Sequence, residues 1–558
     1  MSRDFDVCVI GSGAGGGPVA LRLAQAGRSV LVLEKGPWLT EKDLFKDELA
    51  CCRRSVYTPK LSDEQHVIED RDGDDQWRGV PTSRSGFDFW NGNVVGGSSN
   101  FMSGFFYRLK PVDFRLRSEF GPIAGANVAD WPIGYDELEP YYAMVETEVG
   151  ISGRVVAHPQ AEPRSTADFP QPPTLEHPVV ERIDAACAAL GLHALPTPRA
   201  ILSQPLGQRR SCEYSGYCGS YGCASGAKGS ARAALLDRAV ATGKCQIRAN
   251  AKVTRLRSDA TGKVSAVEYI DADGVIQQVT AKTYVVACQA IESSRLLLAS
   301  VGPKHPDGIG NRHGQVGRNL LFSAGGSGTG YFEYDTMSVA DAARLKQRGP
   351  FVNRGLQDWY TFSDPAFGGA AKGGTIDFLL SHPNPIGRAS RNRWAGDDLV
   401  WGTRLQKRLR SAFTGSQALR YEIFCDWLPT DDCFVALDPE VKDRWGSAVA
   451  RVRIGYHPHD LKVGNHINTH ALKVLERMGA TDISSDISGT PPQNLVAGGC
   501  RFGSDPRTSV LDPDCRIHDV DNLYVSDGSF MPTGGSVPYT WTIYANAFRV
   551  AERIKAAM

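Results

Sequence analysis

The chain has 558 residues with 42% hydrophobic and 22% charged content, which is ordinary for a globular protein of two or more domains. Because 62 Lys and Arg balance 62 Asp and Glu, neither nucleic acid nor an anionic membrane is expected as the main partner. No apolar run reaches the ~20 residues of a membrane span, so we expect no membrane span. No signal peptide or twin-arginine leader is evident, so we expect a cytoplasmic location, or a periplasmic one only if a partner subunit exports the chain.

Residues 1–36 predict a βαβ unit that binds a dinucleotide. An apolar strand at 5–10 runs into residues 11–16, GSGAGG, which fit G-x-G-x-x-G; a helix and a second apolar strand follow, and that strand ends in Glu34. Gly13 lets the backbone approach a pyrophosphate at the helix N-terminus, and Glu34 suits a ribose diol. The motif by itself does not separate FAD from NAD. The predicted cofactor residues of this unit are Gly11, Gly13, Ala14, Gly15, Gly16, Glu34 and Lys35.

Two loops follow this unit. Polar residues dominate up to about residue 85, and we interpret residues 69–75, EDRDGDD, as a solvated loop. Glycines and small polar residues then cluster in residues 91–100, NGNVVGGSSN, just before an aromatic stretch. Glycines let backbone lie against a flat or charged group, so this second loop favours a binding role over a plain surface turn.

The middle of the chain alternates strands and helices. Residues 151–199 are interpreted as a linker or excursion, and a Cys- and Gly-rich segment at 212–230 precedes a predicted helix at 231–241. Strands at 245–248, 251–258, 264–271 and 275–281 are interpreted as a β-meander. A buried strand at 284–288 and a helix at 291–300 then return to the βα pattern that is typical of flavoproteins with two dinucleotide folds.

Residues 321–484 differ in character. Aromatic-rich strands and loops with many Gly, Pro and Asp predict a largely β domain with a helix at about 461–478. The chain then ends with a strand at 523–526 and an Ala-rich helix at 542–557. The predicted domains are therefore a discontinuous cofactor domain of residues 1–150, 200–320 and 485–558, and a substrate domain of residues 321–484.

Taken together, these stretches resemble the glucose-methanol-choline (GMC) family of FAD oxidoreductases over nearly the whole chain. The resemblance is carried by the βαβ unit and by residues 96–100 (GGSSN), 286–298, 500–512 (CRFGSDPRTSVLD) and 518–529. The Cys-rich segment and residues 441–446, VKDRWG, are similar to the bacterial branch with the large subunits of gluconate, fructose and glucose dehydrogenases. The implied fold class is α/β: an FAD-binding Rossmann-like domain with a mainly antiparallel β-sheet substrate-binding domain inserted discontinuously.

The resemblance implies bound FAD. Gly97, Ser98 and Asn100 would lie near the isoalloxazine and the pyrophosphate, and Val253 would meet the adenine through its backbone. Where some relatives link FAD covalently through a His, this chain has Asn100 and Phe101, so non-covalent FAD is expected. The remaining implied cofactor residues are Val95, Asp527, Gly528 and Thr540, with Asp527 and Gly528 at the ribityl–phosphate part.

The family's usual catalytic residues are missing by motif. Leu495 stands in place of a His that accepts the hydroxyl proton. A second His or Asn of the family is replaced by Val537, or by Ser536 if the match to the family motif is shifted by one residue. Alternatively, the substrate hydroxyl is acidic enough to lose its proton with little assistance from a protein base, or the protein oxidises no alcohol. The replacement bases that we consider are Tyr539, which would need a lowered pKa, Asn494 and His457, and also His382, Glu422 and His459.

Cys212, Cys218 and Cys223 are spaced C-x5-C-x4-C, and thiolates close in sequence suit an iron–sulfur cluster or zinc. The similar branch holds a three-iron four-sulfur cluster in this region, which would pass electrons from the flavin to a cytochrome partner. The alternative is a set of free thiols in a Gly-rich loop.

The leading functional hypothesis is an FAD-dependent dehydrogenase or oxidase that acts on an alcohol. The apolar replacements at the catalytic positions favour a bulky, apolar or aromatic small-molecule substrate, or a glycoside, over a small sugar. The alternatives are a flavoprotein lyase without net redox chemistry, and a dehydrogenase subunit that works with a small subunit or a cytochrome. An NAD enzyme is the least favoured hypothesis.

Overall fold

The computed structural model describes residues 4–48, 65–71, 76–85, 89, 91–395, 397–489 and 495–558. The strands in these ranges are β1 Phe5–Ile10, β2 Val30–Leu33, β3 Val67–Arg71, β4 Trp77–Pro81, β5 Ala194–Pro196, β6 Cys245–Arg248, β7 Lys252–Ser258, β8 Val264–Ile270, β9 Ile276–Val279, β10 Ala281–Val286, β11 Leu320–Leu321, β12 Ser323–Glu333, β13 Val352–Leu356, β14 Thr361–Asp364, β15 Gly369–Lys372, β16 Gly374–Leu380, β17 Trp394–Ala395, β18 Asp398–Leu399, β19 Ser416–Asp426, β20 Phe434–Lys442, β21 Ala448–Arg453, β22 Thr481–Asp486, β23 Ala497–Gly498 and β24 Leu523–Val525. The α-helices are α1 Gly16–Gln25, α2 Thr82–Ser85, α3 Leu116–Phe120, α4 Tyr135–Val145, α5 Val179–Ala189, α6 Asp237–Ala241, α7 Ala290–Ala299, α8 Val339–Leu345, α9 Pro385–Arg391, α10 Gly402–Arg410, α11 Pro458–Arg477 and α12 Thr540–Ala557.

The cofactor half is built on a five-stranded parallel sheet with the order β24-β10-β1-β2-β6. All of β2, residues 7–10 of β1 and residues 284–286 of β10 are apolar and buried on both faces, as parallel strands between helices are. Helix α1 packs against α12 on one side of this sheet. The carboxyl ends of β1, β2 and β10 meet at one edge, where α/β sheets bind ligands.

The second half is built on a six-stranded sheet with the order β22-β12-β19-β16-β13-β5, and every pair in it is antiparallel. This sheet confirms the predicted β domain beside the Rossmann-like one. Helix α11 packs on the sheet through buried Val463, Ile467, Ala471 and Val474, so one face of the sheet is covered. The opposite face of β12 and β19 lines the main cavity of the protein.

Three sequence interpretations differ from the structure. Residues 151–199 are more than a linker. They contain α5, whose apolar side packs into the hydrophobic core of the six-stranded sheet, and β5, which pairs with β13. The strand at 245–248 is β6 of the parallel sheet, and the meander consists of β7, β8 and β9 alone. The helix at 231–241 begins as a π-helix, Ala231–Leu236, before it continues as α6.

Glu69 is not part of a solvated loop. It is buried in β3, where it accepts hydrogen bonds from the guanidinium groups of Arg451 and Arg453 on β21. These two cations lower the pKa of the Glu69 carboxyl despite its burial. Residues 72–75 of the same acidic run lie outside the described residues. A composition-based interpretation failed here because the partners of the charge lie some 380 residues away along the chain.

Candidate active site

A cavity of about 1510 Å³ lies between the carboxyl edge of the parallel sheet and the open face of the six-stranded sheet. Residues from the first turn, the loop at 91–106, β7, the start of α12 and the second sheet all contribute to its wall. One end of the cavity therefore carries the dinucleotide motif, and the other end is walled by the second domain.

The turn after β1 has the geometry that its glycines predict. Gly11 adopts a φ of +96°, and a Cβ on it would stand 2.2 Å from the carbonyl oxygen of Ala287. A Cβ on Gly16 would stand 2.0 Å from the carbonyl oxygen of Gly11, so Gly16 permits the close packing of α1 on the turn. Gly11, Gly13, Ala14 and Gly15 line the cavity, and Gly16 lies behind them.

Glu34 is buried at the end of β2, with its carboxylate held at both oxygens. Its Oε2 accepts hydrogen bonds from the Ser12 N–H (3.1 Å) and the Ser12 hydroxyl (2.6 Å), and its Oε1 accepts one from the Gly36 N–H (3.0 Å). Burial raises the pKa of this carboxyl above its usual value. Each carboxylate oxygen offers a second lone pair, so Glu34 can still accept a hydrogen bond from a ribose hydroxyl in the cavity, which it lines together with Lys35.

The loop at 91–100 faces the first turn across a narrow slot. A Cβ on Gly97 would stand 2.9 Å from the Cα of Gly13, so this close approach requires glycine at position 97. Gly97 and Ser98 line the cavity, whereas Asn100 lies behind them and holds the loop by donating its amide to the carbonyl oxygens of Val95 (3.0 Å) and Gly97 (2.9 Å). The predicted residues Val95 and Asn100 therefore do not line the cavity, and they hold the loop in place on the side away from it.

Asp527 joins three distant segments beneath the cavity. Its Oδ2 accepts hydrogen bonds from the Gln289 N–H (3.0 Å) and the Ser293 hydroxyl (2.5 Å), and its Oδ1 accepts one from the Ser529 hydroxyl (2.6 Å). A Cβ on Gly15 would lie 2.8 Å from the Asp527 backbone, so the first turn rests directly on this segment. The other predicted cofactor residues on the cavity wall here are Val253, Gly528 and Thr540.

Of the positions where catalytic residues are expected from the resemblance, only Leu495 faces the cavity. Val537 and Ser536 are buried away from its wall. The Ser536 hydroxyl donates to the carbonyl oxygen of Gly373 (2.7 Å) and accepts from the Lys372 ammonium (2.5 Å), so its hydrogen-bonding capacity is used within the protein. Neither Val537 nor Ser536 therefore offers a proton acceptor to the cavity.

The candidates Tyr539 and His457 both lack the properties of a base. Tyr539 is on the wall, but its hydroxyl is buried with no hydrogen-bond partner in the described structure, and burial holds its pKa well above the usual value instead of lowering it. His457 begins α11 outside the cavity, where its Nδ1 accepts from the His459 N–H (3.1 Å) and its Nε2 donates to the carbonyl oxygen of Ala124 (2.9 Å). His457 therefore lies away from the cavity wall with both ring nitrogens hydrogen-bonded, His459 also lies off the wall, and Asn494 lies outside the described residues.

Two of the candidate bases in the second domain, Glu422 and His382, do line the cavity. Glu422, on β19, has a side chain that is 32% exposed, and burial raises the pKa of its carboxyl. Asp377 stands opposite Glu422 on β16 and accepts a hydrogen bond from the Tyr107 hydroxyl (2.7 Å). Burial and the neighbouring Glu422 raise the pKa of Asp377 to about 7, so two carboxyl groups sit side by side with weakened acidity.

His382 is the second candidate base on the cavity wall. Its ring stacks on Phe351 at a ring-centroid distance of 4.2 Å. Its Nδ1 is buried and has no hydrogen-bond partner in the described structure. An imidazolium must donate from both nitrogens, so protonation would leave one N–H unpaired. Burial and the nearby Arg420 accordingly lower the pKa of His382 to about 4, and the ring is neutral at physiological pH.

The three cysteines converge on one small apolar cluster formed by Ile201, Leu202 and Ala227. Burial and the neighbouring Cys218 raise the pKa of Cys212 to about 11. Burial opposes ionisation of Cys223 as well, but Lys228 and nearby hydrogen bonds lower its pKa overall. A single bound ion requires ligand atoms that lie within 4.8 Å of one another. In the described structure the three cysteine sulfur atoms do not meet this condition.

The loop that carries the cysteines touches the cavity. Gly219 and Ser220, which lie between Cys218 and Cys223, are part of the cavity wall, and the Ser220 N–H donates to the carbonyl oxygen of Phe101 (2.8 Å). Lys228 is buried beneath this loop and donates to the carbonyl oxygens of Cys218 (2.8 Å) and Asn100 (3.2 Å). The cysteines are thereby tied to the cofactor loop.

Family models match most of the chain. A GMC oxidoreductase model matches residues 79–323, a second GMC oxidoreductase model matches residues 429–547, and an FAD binding domain model matches residues 6–40. Among the helices of the described residues, none combines the length and the apolar character needed to cross a bilayer.

Curated relatives align along nearly the full length. Paromamine 6'-oxidase of Streptomyces fradiae is 33% identical over 99% of this chain and 91% of its own, and 2-methyl-1,2-propanediol dehydrogenase of Mycolicibacterium austroafricanum is 31% identical over 98% of this chain and 95% of its own. The solved structure of a pyridoxine 4-oxidase from Mesorbium loti superposes with a TM-score of 0.64 at 18% identity, covering 99% of each chain, and so shows the same fold.

Proposed function

Because the chain belongs to the GMC oxidoreductase family, we propose that it oxidises a CH–OH group of a small molecule at the second-domain end of its cavity, with FAD bound non-covalently at the other end. The observation that carries this proposal is a continuous cavity that joins the dinucleotide turn to a wall of apolar side chains and carboxyl groups. Its residues fit FAD: the glycine backbone would hold the pyrophosphate, Glu34 would accept a hydrogen bond from a ribose, and Leu495 and Phe105 would offer apolar contact to the ring system.

Bound FAD supplies the two-electron acceptor for the oxidation. The protein must then accept the proton of the substrate hydroxyl, and we assign this role to Glu422. Its side chain lines the cavity, and although the Arg420 guanidinium lies 3.8 Å from its Oε1, burial outweighs this cation and raises the pKa of the carboxyl, which makes it a better base than an ordinary surface carboxylate. Ser327 faces Glu422 from β12, and both side chains lie on the cavity side of the sheet.

His382 suits a different role. Its lowered pKa opposes protonation, so it is a poor proton acceptor, but a neutral imidazole on the cavity wall can orient a substrate by a hydrogen bond. We therefore assign His382 to substrate positioning.

The wall also favours a substrate class. Phe105 and Phe424 meet with ring centroids 5.6 Å apart, and Met102, Trp427 and Leu495 extend this apolar part of the wall. Such a surface favours a bulky apolar or aromatic group beside the reacting carbon. A glycoside remains the second candidate, because the outer wall carries the polar side chains of Glu333, Asp482 and Asp486.

A panel of aromatic alcohols, aliphatic alcohols and glycosides, added to the purified holoprotein without oxygen, tests this function. We expect an aromatic or bulky aliphatic alcohol to bleach the visible flavin band. Conversion of a substrate while the band stays oxidised would instead indicate a lyase. Failure of every alcohol class to bleach the band would overturn the proposed oxidation.

We further propose that Cys212, Cys218 and Cys223 hold an iron–sulfur cluster that relays electrons to a partner such as a cytochrome. The support is their convergence on one apolar cluster and the contact of their loop with both the cavity and Lys228. Protein produced with iron and purified without oxygen should contain iron and inorganic sulfide, and Cys218→Ser should lose both while Cys187→Ser, a buried cysteine elsewhere, keeps them. Iron-free protein with full electron transfer to a soluble acceptor would leave the cysteines as free thiols.

A further inference from the structure

We propose that residues 385–395 and 397–413, here called the basic lobe, dock the protein on an anionic bilayer surface. The lobe contains α9, the short β17–β18 hairpin and α10, and several of its residues line the cavity. This inference is independent of the reaction that the cavity catalyses.

The first observation is uncompensated charge. The lobe carries seven cations, Arg388, Arg391, Arg393, Arg404, Lys407, Arg408 and Arg410, against Asp397 and Asp398. In the described part of the chain none of the seven forms an ion pair; Arg388 and Arg408 donate to backbone carbonyl groups, and Arg393 donates to the Ser390 hydroxyl (3.2 Å). Since the whole chain has zero net charge, the lobe is a strong local excess of positive charge.

The second observation is exposed apolar surface in the same place. Among the described residues 17 large apolar side chains are exposed, and five of them lie in this short lobe. Both exposed tryptophans belong to it: Trp401 is 79% exposed and Trp394 is 47% exposed. The other three are Ile386, Leu399 and Phe413.

The distribution of these side chains favours a bilayer over a protein partner. Protein interfaces have an apolar core that is depleted of charge and surrounded by a polar rim. In the lobe, each exposed tryptophan is instead close in sequence to an arginine, as Trp394 is to Arg393. Tryptophan interspersed with Lys and Arg is the composition of segments that lie in the headgroup region of anionic membranes.

The orientation of α10 agrees with this role. Its Leu405 and Leu409, one helical turn apart, are half-buried against the protein, whereas Arg404, Lys407 and Arg410 are exposed. The anionic surface would therefore meet the cationic side of α10 together with Trp401. Arg388, Arg391 and Arg408 of the lobe also line the cavity, so docking would bring this part of the cavity wall close to the lipid surface.

Vesicle flotation of the full-length holoprotein tests the proposal. We expect binding to phosphatidylcholine vesicles that contain phosphatidylglycerol, no binding to phosphatidylcholine alone, and release by salt. The triple variant Arg404→Gln, Lys407→Gln, Arg410→Gln should partition about a hundredfold more weakly, because each cation near an anionic surface contributes about a factor of five. Trp401→Ser should also weaken binding, with less dependence on salt.

The matched control neutralises three exposed lysines elsewhere, Lys244→Gln, Lys304→Gln and Lys473→Gln, and should bind like the wild type. Equal melting temperatures of both triple variants exclude unfolding as the cause of a difference. The proposal is overturned if phosphatidylglycerol vesicles are not bound, if the control loses binding as strongly, or if the lobe binds soluble heparin or an acidic protein but no vesicle.

Discussion

Replacement of Glu422 by glutamine is expected to lower kcat for the best alcohol substrate by roughly 10²–10⁴-fold, the usual contribution of a general base. The amide keeps the size of the side chain but cannot accept the hydroxyl proton. In the wild type, kcat/KM should fall as the pH drops through the raised pKa of Glu422, because only the carboxylate is a base. This acid limb should be absent from the pH profile of Glu422→Gln.

Glu333→Gln is the matched control for this experiment. Glu333 lies at the far end of β12, lines the same cavity, and also has a pKa raised by burial, but it is distant from the apolar part of the wall. Its variant should keep kcat within a few fold. Glu422→Gln should melt no lower than the wild type. Because folding raises the pKa of this carboxyl, its ionisation at higher pH lowers the free energy of unfolding of the wild type, and the amide, which does not ionise, removes this loss. A wild-type kcat in Glu422→Gln, or an equal loss in Glu333→Gln, would remove Glu422 from the mechanism.

Replacement of Lys372 by methionine is expected to lower the free energy of unfolding by about 3–5 kcal/mol, as measured by urea denaturation of the full chain. The Lys372 side chain is only 7% exposed, and its ammonium lies 3.1 Å from Asp113 Oδ1, 3.6 Å from Asp426 Oδ2 and 3.7 Å from the centroid of the Tyr360 ring. Methionine fills a similar volume but leaves both carboxylates buried without their cation. The Ser536 hydroxyl would lose one of its hydrogen bonds at the same time.

Two further variants separate this explanation from general damage. Lys473→Met removes an exposed lysine from α11 and should change the free energy of unfolding by no more than about 0.5 kcal/mol. Adding Asp426→Asn to Lys372→Met should restore part of the loss, since one of the stranded charges is then gone. The buried cluster has no stabilising role if Lys372→Met is as stable as Lys473→Met, or if Asp426→Asn only adds to the loss.

The cofactor end of the cavity could be predicted because its determinants are local. A glycine that needs a φ of +96°, a helix that starts directly on it and an acid at the end of the next strand lie within 34 residues of one another. Twelve of the fifteen predicted cofactor residues lie on the cavity wall; Gly16, Val95 and Asn100 shape that wall from behind. Their assignment to FAD atoms stays a prediction.

The chemistry at the other end depends on strand register, which motif spacing does not reveal. Glu422 faces the cavity because residues two apart on β19 share one face of the sheet and α11 covers the other face. His457 has a suitable side chain for a base, but it is used to begin α11. Tyr539 sits at the right place in the sequence, yet burial raises the pKa that catalysis would need lowered.

By itself, the sequence determined the family, the βαβ unit and the second β domain, because each depends on neighbouring residues or on apolar periodicity. Only the tertiary structure decided where charge is neutralised and where it is not. Glu69 meets its arginines some 380 residues away, whereas the cations of the basic lobe find no acid at all in the described structure. The physical reason is that Coulomb interactions act through space over a few ångströms, so a balanced count of charges along the chain does not show which charges become neighbours.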